Sequence, residues 1–494
     1  MAVKYYLAVD IGASSGRHIL AHVEDGTIVC EEMYRFYNGN DLLLADGTNA
    51  GPADGQEMQP GAHRIWDTQR LFSEVIEGMK LCAQAGKCPS SMSIDTWGVD
   101  YVLLGADDKP VAPCYAYRDG RTSGMDEEVY KIIPEKELYA RTGIQKAMFN
   151  TIYQLMAAKV QEPETLEAAQ TMLMMPDYLQ FLLTGVKCQE YTNATTGQLV
   201  DPNTFDWDWE LIDMLGYPRR LFQKIGMPGT VIGRLSPAVM AVAGFDCDVI
   251  LPASHDTGSA VMSVPSDSDE TLYISSGTWS LLGCERMQAD CSAAAQKANF
   301  TNEGGYDHRY RFLKNIMGLW MIQSVQKEFK AAPGDWAEDL DQDYSFANLC
   351  DRAAMESIDS LVDANSDRFM APVSMIKEIQ TACRESGQQV PVNAWEIARV
   401  IYRSLAVCYK NAICELESMT GMHFDTINII GGGSNAQWLN ELTAATTGRR
   451  VLAGPGEATA IGCLGSQMIA DGTFTDLKDF RRSVLKSFGV VEYK

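Results

Sequence analysis

The apolar residues of this 494-residue chain follow two rhythms. Short apolar runs separated by glycine-containing turns come first: residues 5–10, 18–23 and 28–36 read as three strands of an antiparallel meander. Residues 38–62, rich in Gly, Ala and Asp, carry no period and read as a loop. From 67 to 82 the spacing changes to that of an amphipathic helix, with Leu71, Val75, Ile76 and Met79 on one face. A strand at 91–95 follows. Residues 126–226 read as mainly helical, with helices at 152–160 and 177–183. Broken apolar runs with Gly and Pro over 227–253 place a domain boundary near Gly244. The second half repeats the first in outline: strand-turn-strand over 271–284, helices at 315–329 and 394–419, a strand at 426–430, a glycine run, a helix from Asn435 and a strand at 450–453. Such mixing of strands and helices predicts an α/β fold. Two similar halves predict a duplicated, bilobal protein with lobes 1–244 and 245–494 and an interdomain active-site cleft.

The bulk numbers narrow the function classes. A hydrophobic content of 46% with 21% charged residues is that of a water-soluble protein with large cores. A net charge of −24 argues against nucleic acid or an anionic membrane surface as a partner. ATP is still accessible to such a chain, because backbone amides and a metal ion can hold its phosphates. Thirteen cysteines are scattered with no C-x-x-C spacing, as expected of buried thiols in a reducing compartment. The first residues already read as a strand rather than a signal peptide, and no apolar run approaches the ~20 residues of a membrane span. The expected location is the cytoplasm.

The chemistry concentrates in a few segments. Ser254-His255-Asp256-Thr257-Gly258 sets one carboxylate among small residues, after a strand-like run and at the start of a helix. An Asp there serves as an N-cap. It also suits a base that accepts a hydroxyl proton as that hydroxyl attacks a γ-phosphate. Asp10-Ile11-Gly12-Ala13-Ser14-Ser15-Gly16-Arg17 is strand, tight turn, strand. Read plainly it is a hairpin. Read chemically, the backbone of Ala13, Ser14, Ser15 and Gly16 and the guanidinium of Arg17 form a phosphate loop, with Asp10 holding Mg²⁺ through water. Ser275-Ser276-Gly277-Thr278 repeats the pattern, so that Gly277 and Thr278 form a second such loop. No G-x-x-x-x-G-K-[ST] occurs, which excludes a P-loop enzyme. Gly431-Gly432-Gly433-Ser434-Asn435 lets a base or ribose lie on the backbone. It also fits a loose dinucleotide fingerprint with Glu457 downstream, although that acid follows Gly454-Pro455-Gly456 rather than ending a strand. In Asp95-Thr96-Trp97-Gly98-Val99-Asp100, Trp97 is either a core residue or a face for a sugar. Gly98 permits close backbone approach there, and Asp95 accepts hydroxyl hydrogen bonds. Tyr117-Arg118-Asp119-Gly120-Arg121 is a further polar cluster, whose plain reading is a surface turn. The six histidines form no metal constellation.

In order along the chain stand DTWGVDYVLL from Asp95, AYRDGRT from Ala116, MPDY from Met175, EYTNATTGQLV from Glu190 and ASHDTGSAV from Ala253. SSGTWSLLG from Ser275, TNEGG from Thr301, RFLKNIMGLW from Arg311 and IIGGGSN from Ile429 complete the set. Over nearly its whole length the chain thereby resembles the FGGY carbohydrate kinases of the actin–hexokinase–Hsp70 superfamily. The resemblance implies two ribonuclease-H-like lobes closing over ATP and a ketose. It implies transfer of the γ-phosphoryl group to the C1 hydroxyl of L-rhamnulose in L-rhamnose catabolism. On matching positions it makes Asp256 the catalytic base, sets His255, Thr257 and Gly98 at the sugar, and sets residues 13–17, Thr278, Asn315, Gln323 and Gly432 at the nucleotide. Asp10 becomes the Mg²⁺ partner. Two departures stand out: the long loop before His63, and Tyr117 where many of these kinases have Trp. The alternatives are a ketose kinase for L-fuculose or L-xylulose, a non-catalytic nucleotide-dependent sugar sensor, and an Hsp70-like ATPase coupled to a protein partner. The sensor is disfavoured by the presence of Asp256, and the coupled ATPase leaves Asp95–Asp100 without a role.

Overall fold

The structure is a computed structural model that describes residues 3–54, 56, 58–332 and 343–494, and in it the chain divides into two compact units. The first takes the chain up to Ser263 together with Glu285–Phe312 and Thr459–Ser487. The second takes Val264–Cys284, Leu313–Ala458 and Phe488–Lys494. Gly244 falls inside the first unit, because the strand after it, Asp248–Ile250, pairs in parallel with Ser91–Thr96.

The sheet of the first unit runs Val231–Arg234, Asp248–Ile250, Ser91–Thr96, Tyr6–Ile11, Ser15–Glu24, Thr27–Tyr37. The last three are the expected antiparallel meander. Tyr6–Ile11 and Ser91–Thr96 are parallel neighbours in a register that sets Asp10 opposite Asp95. Both are buried along their whole length at the centre of the sheet, the first nearly all apolar and the second alternating polar and apolar residues. The helix Thr68–Gln84 starts where Asp67 accepts the Arg70 N–H at 2.9 Å. Leu71, Val75, Met79 and Cys82 are buried along its inner face, and Ile76 packs beside them. At Gly78 any side chain would collide with the His18 ring. That ring is buried with Nε2 3.1 Å from the Val75 carbonyl, and burial pushes its pKa down to about 4. The segment Thr459–Ser487 returns to this unit and is locked in by polar contacts. Gln467 donates to the Leu7 carbonyl at 3.0 Å and accepts from Ser91 at 2.8 Å. Buried Arg481 joins Glu285 at 2.7 Å to the carbonyls of Val261 and Met262.

Residues 38–62 are more ordered than their composition suggested. Asp41–Leu43 and Asn49–Pro52 pair with each other, and Asp41–Leu43 pairs with His63–Trp66 in a small sheet completed by Cys114–Tyr115. Asn40 and Asp41 are buried and Leu42 with Ala53 makes a miniature core, too short a pattern to show as periodicity. Gly55 and Glu57, within this stretch, lie outside the described residues.

The second unit repeats the central arrangement. Leu272–Ser276 is antiparallel to Trp279–Arg286 and parallel to Thr426–Ile430, which is parallel to Arg450–Ala453, with Val491–Tyr493 antiparallel beyond it. The helix Ala394–Thr420 begins where Asn393 accepts two backbone N–H groups and ends at Gly421, φ +69°. The helix expected from Asn315 starts instead at Trp320. Asn315 belongs to the strand Tyr310–Met317, and the chain reverses at Gly318, where a Cβ would lie 2.6 Å from the Ser280 nitrogen. After the glycine run a 3₁₀ turn, Gly432–Asn435, precedes the helix Gln437–Thr447.

Candidate active site

In the first unit, the ends of the two central strands bring carboxylates together. Asp10 is gripped by Arg17, whose Nε and guanidinium NH2 donate to Asp10 Oδ2 at 2.9 and 2.7 Å. Asp95, directly across the register, is fully buried and neither of its oxygens accepts from an N–H or O–H group. Burial, then the Asp10 charge, drives the Asp95 carboxyl well above the usual range, with Asp256 adding to the effect and the Cys463 thiol and Arg17 opposing it. The turn between Asp10 and Arg17 is braced by Asn38, which donates to the carbonyls of Gly12 and Ser14 at 2.8 and 3.1 Å. Ser14 and Ser15 are exposed, and Ala13 is half-buried. Gly16 is buried under the Phe36 ring, which leaves no room for a side chain.

Asp256 is the first residue of the helix Asp256–Met262, and the cap position before it belongs to His255, which makes no side-chain capping bond. The N-cap expectation for Asp256 is thus displaced by one residue. The Asp256 side chain is 32% exposed. Its Oδ1 accepts the Thr257 N–H at 2.6 Å and the Thr257 hydroxyl at 3.1 Å, so these bonds leave Oδ2 unengaged. Thr257 is buried.

Glu190 holds the segment in place, a role that sequence reasoning missed. Its buried carboxylate accepts the Thr192 N–H and hydroxyl at 2.8 and 2.6 Å, the Asn193 N–H at 3.1 Å, and the Ser254 N–H and hydroxyl at 3.1 and 2.6 Å. One side chain therefore caps the helix Tyr191–Thr196 and fixes the backbone just before His255. The signal was a Glu ahead of a Thr-Asn helix start; its second partner, Ser254, is 64 residues away.

The turn at Trp97–Asp100 is strained. Val99 has φ +71°, a conformation that a β-branched residue avoids. Its N–H donates to Thr196 at 3.0 Å, and its carbonyl accepts from Thr151 at 2.7 Å and Gln154 at 3.2 Å. At Gly98 a Cβ would lie 2.9 Å from Thr196. Asp100, fully buried, accepts Trp66 Nε1 at 2.7 Å, Trp97 Nε1 at 2.9 Å, the Tyr117 N–H at 3.0 Å and Gln154 at 2.9 Å. Burial raises its pKa to about 6 against those four donors. Trp97 is 5% exposed and its ring lies 3.9 Å from that of Trp66, so it is a core residue and presents no open ring face. At Asp119 the expected surface turn is buried: its carboxylate accepts the Arg64 N–H at 2.6 Å and the Arg121 N–H at 2.9 Å, and it lies 3.0 Å from His63 Nδ1.

The second unit assembles its own set. The Thr278 hydroxyl meets Gln323 at 3.2 Å, and the carbonyls of Gly277 and Thr278 accept the N–H groups of Leu319 and Trp320. The helix after Gly318 is thereby tied to the hairpin turn. At Gly433 a Cβ would lie 1.9 Å from the Ser276 hydroxyl oxygen, and at Gly431, φ +80°, 3.1 Å from the Ser276 carbonyl oxygen. Gly432 faces open space. It lines a pocket of about 250 Å³ with Gln323, Asn435, Ile322, Phe346 and Tyr402. Gln323, Gly432 and Thr278, separated by up to 154 positions in the sequence, are thus grouped, whereas Asn315 is exposed on its strand and does not line this pocket. Among the described residues no three His, Cys, Asp or Glu side chains form a metal-binding group.

Comparison with known proteins bears on both units. Residues 49–263 match the N-terminal domain, and residues 272–470 the C-terminal domain, of the FGGY family of carbohydrate kinases. The chain is 46% identical over 487 residues to a rhamnulokinase of Oceanobacillus iheyensis, covering 99% of this chain and 97% of that one. It is 45% identical over 491 residues to a rhamnulokinase of Halalkalibacterium halodurans, with 99% of each chain covered. Among solved structures, a gluconate kinase from Lactobacillus acidophilus superposes with a TM-score of 0.76 at 18% identity, over 100% of this chain and 94% of that one. A glycerol kinase from Plasmodium falciparum, solved with ADP, gives 0.74 at 14% identity over 100% and 94%.

Proposed function

The chain belongs to the FGGY family of carbohydrate kinases, and from that premise we propose that it transfers the γ-phosphoryl group of ATP to the C1 hydroxyl of L-rhamnulose, yielding L-rhamnulose 1-phosphate and ADP. Its fold is the two-domain, actin/hexokinase-like fold of that family. The observation that carries the substrate is the near-full-length identity to rhamnulokinases. The proposed pathway is L-rhamnose breakdown in the cytoplasm, a compartment that suits the buried thiols of Cys82, Cys114, Cys247 and Cys463.

Asp256 is the proposed base. With Oδ1 committed to two Thr257 donors, Oδ2 is the atom that receives the C1 hydroxyl proton as the oxygen attacks phosphorus. Phosphoryl transfer passes through a loose transition state, so the base acts late, and positioning with electrostatic stabilisation supplies most of the rate. His255, Thr257 and Gly98 are the proposed sugar contacts. The strained Val99 turn keeps the Gly98 backbone fixed by three hydrogen bonds. The Asp256 carboxylate completes the sugar's surroundings; Asp95, expected at the sugar, is instead fully buried beside Asp10, and Trp97 contributes by anchoring Asp100.

For ATP we propose the turn from Ala13 to Arg17, and Gly277, Thr278, Gln323 and Gly432 around the pocket of the second unit. Asn315 is retained as a nucleotide contact on the family resemblance alone. The donor set also fits Mg²⁺. Asp95 has two buried oxygens that no N–H or O–H group engages, opposite Asp10, and hard carboxylate oxygens suit that ion. The scarcity of protein ligands suits an ion that keeps water and phosphate oxygens around it. Asp10 and Asp95 are the residues that would hold it, and when bound it would neutralise charge on the β- and γ-phosphate oxygens.

The test is ADP release with Mg·ATP, with and without L-rhamnulose, L-fuculose, L-xylulose or glycerol. Strong stimulation by L-rhamnulose is expected. Preference for another ketose would reassign the substrate, and release independent of every sugar would refute the kinase reading.

A further inference from the structure

The TNEGG motif and Arg311, the first residue of RFLKNIMGLW, play no part in the chemistry above. Each puts one charged side chain into a buried cluster behind His255. Arg311 is fully buried. Its Nε donates to the Gly304 carbonyl at 2.9 Å. One guanidinium NH2 lies 3.0 Å from His255 Nδ1 and 3.0 Å from Glu303 Oε2. Glu303 Oε2 is in turn 3.2 Å from His255 Nδ1. On the other side of the ring, His255 Nε2 is 3.4 Å from Asp256 Oδ1.

Two neutral tautomers compete for this arrangement. In one, Nδ1–H donates to Glu303. In the other, a bare Nδ1 accepts from Arg311 and the proton sits on Nε2. A guanidinium only donates, so a proton on Nδ1 would point into an N–H 3.0 Å away. The alignment decides the matter. The Nδ1–Arg311 contact has hydrogen-bond geometry, whereas Glu303 Oε2 has no aligned hydrogen bond to any donor. Glu303 then acts as counter-ion. Burial pushes its carboxyl up, but the Arg311 guanidinium holds it below the ordinary carboxylate range, so it stays ionised beside that buried charge.

We infer that Arg311, neutralised by Glu303, is a positioning residue that fixes His255 as the Nε2–H tautomer and turns that N–H toward Asp256 and the acceptor sugar. This deepens the kinase reading and rests on it for the identity of the sugar. It makes His255 a hydrogen-bond donor at the site. The group it selects is an oxygen that can accept: the hydroxyl under attack or the adjacent carbonyl-derived oxygen of a ketose. Glu303 and Arg311 thereby enter the list of residues that set substrate preference without touching substrate.

The test reads the tautomer directly, by two-bond ¹H–¹⁵N correlation on ¹⁵N-histidine protein without sugar or ATP. His255→Gln assigns its resonance among the six histidines. A protonated Nε2 with an unprotonated Nδ1 is expected, and a protonated Nδ1 would overturn the inference. This outcome is independent of which sugar is phosphorylated, so it fails separately from the substrate assignment. In Arg311→Met, Glu303 becomes the only partner, and the proton should move to Nδ1; an unchanged tautomer would remove Arg311 as the cause. Arg311→Lys, which keeps the charge should Arg311→Met not fold, should raise KM for the sugar about tenfold with KM for ATP unchanged. Equal sugar KM values would also overturn the assignment.

Discussion

Replacing Glu190 by Gln tests whether one buried carboxylate sets both the stability of the first unit and the placement of Asp256. The carboxylate accepts five hydrogen bonds, four of them at Oε2. A glutamine oxygen placed at the Oε2 position keeps those four in weakened, uncharged form. Its NH2 then faces the Thr192 N–H, which loses its acceptor. A buried unsatisfied N–H costs about 1–3 kcal/mol, and loss of charge assistance on the remaining bonds adds a similar amount. Part is returned, because burial pushes the Glu190 carboxyl upward and the amide needs no desolvated charge. The net expectation is a destabilisation of roughly 2–3 kcal/mol. Urea unfolding followed by tryptophan fluorescence measures it. In the kinase assay, Ser254 loses its charge-assisted anchor two residues before Asp256. A displacement of 1 Å at the reacting groups lowers turnover by about 10²-fold, so a fall in kcat of about 10- to 100-fold is expected with KM for ATP unchanged. Wild-type unfolding together with wild-type kcat would refute the reasoning.

Three other outcomes follow from the same geometry. Asp256→Asn should keep ATP binding by calorimetry and lose about 10²–10⁴-fold in kcat, the usual worth of a general base; near-wild-type turnover would remove Asp256 from that role. Gly432→Leu projects into the 250 Å³ pocket from a backbone that accepts a side chain. It should raise KM for ATP at least about tenfold while stability stays within about 0.5 kcal/mol, and an unchanged KM would move the nucleotide elsewhere. His18, depressed to about 4 from the ordinary 6.5, binds its proton more weakly folded than unfolded. The stability present above pH 6.5 should therefore be lost as pH falls toward 4, by up to about 3 kcal/mol. His18→Phe should flatten that slope in unfolding measured from pH 7 to 4.

What could be read from the chain was what repeats locally. The helix Thr68–Gln84 announced itself through Leu71, Val75 and Met79 at one helical period, and the meander and both hairpins through apolar runs between glycines. The order of motifs led to the family, and the identities to rhamnulokinases bear it out. Elsewhere the signal was too short or too distant. Asn315 read as helical because strand and helix there are both apolar and only Gly318 and Leu319 separate Met317 from Trp320. Trp97 gave no sign of Trp66, its stacking partner 31 positions earlier. Glu190 and Arg311 are polar side chains whose partners Ser254 and His255 are brought to them by topology from 64 and 56 positions away, so no short window of sequence contains both ends of those bonds.

The return of Thr459–Ser487 to the first unit has a bearing on how the protein is made. When the ribosome has just finished residue 263, the central sheet already has its six strands, yet Leu7 and Ser91 still lack Gln467, and Val261 and Met262 still lack Arg481. At about 5–20 residues per second, those partners emerge some 10–45 s later. During that interval the nascent unit carries an incomplete face, with polar groups that only the last part of the chain can satisfy. A truncation or a nonsense codon before Gln467 therefore removes both partners from the part of the unit made first.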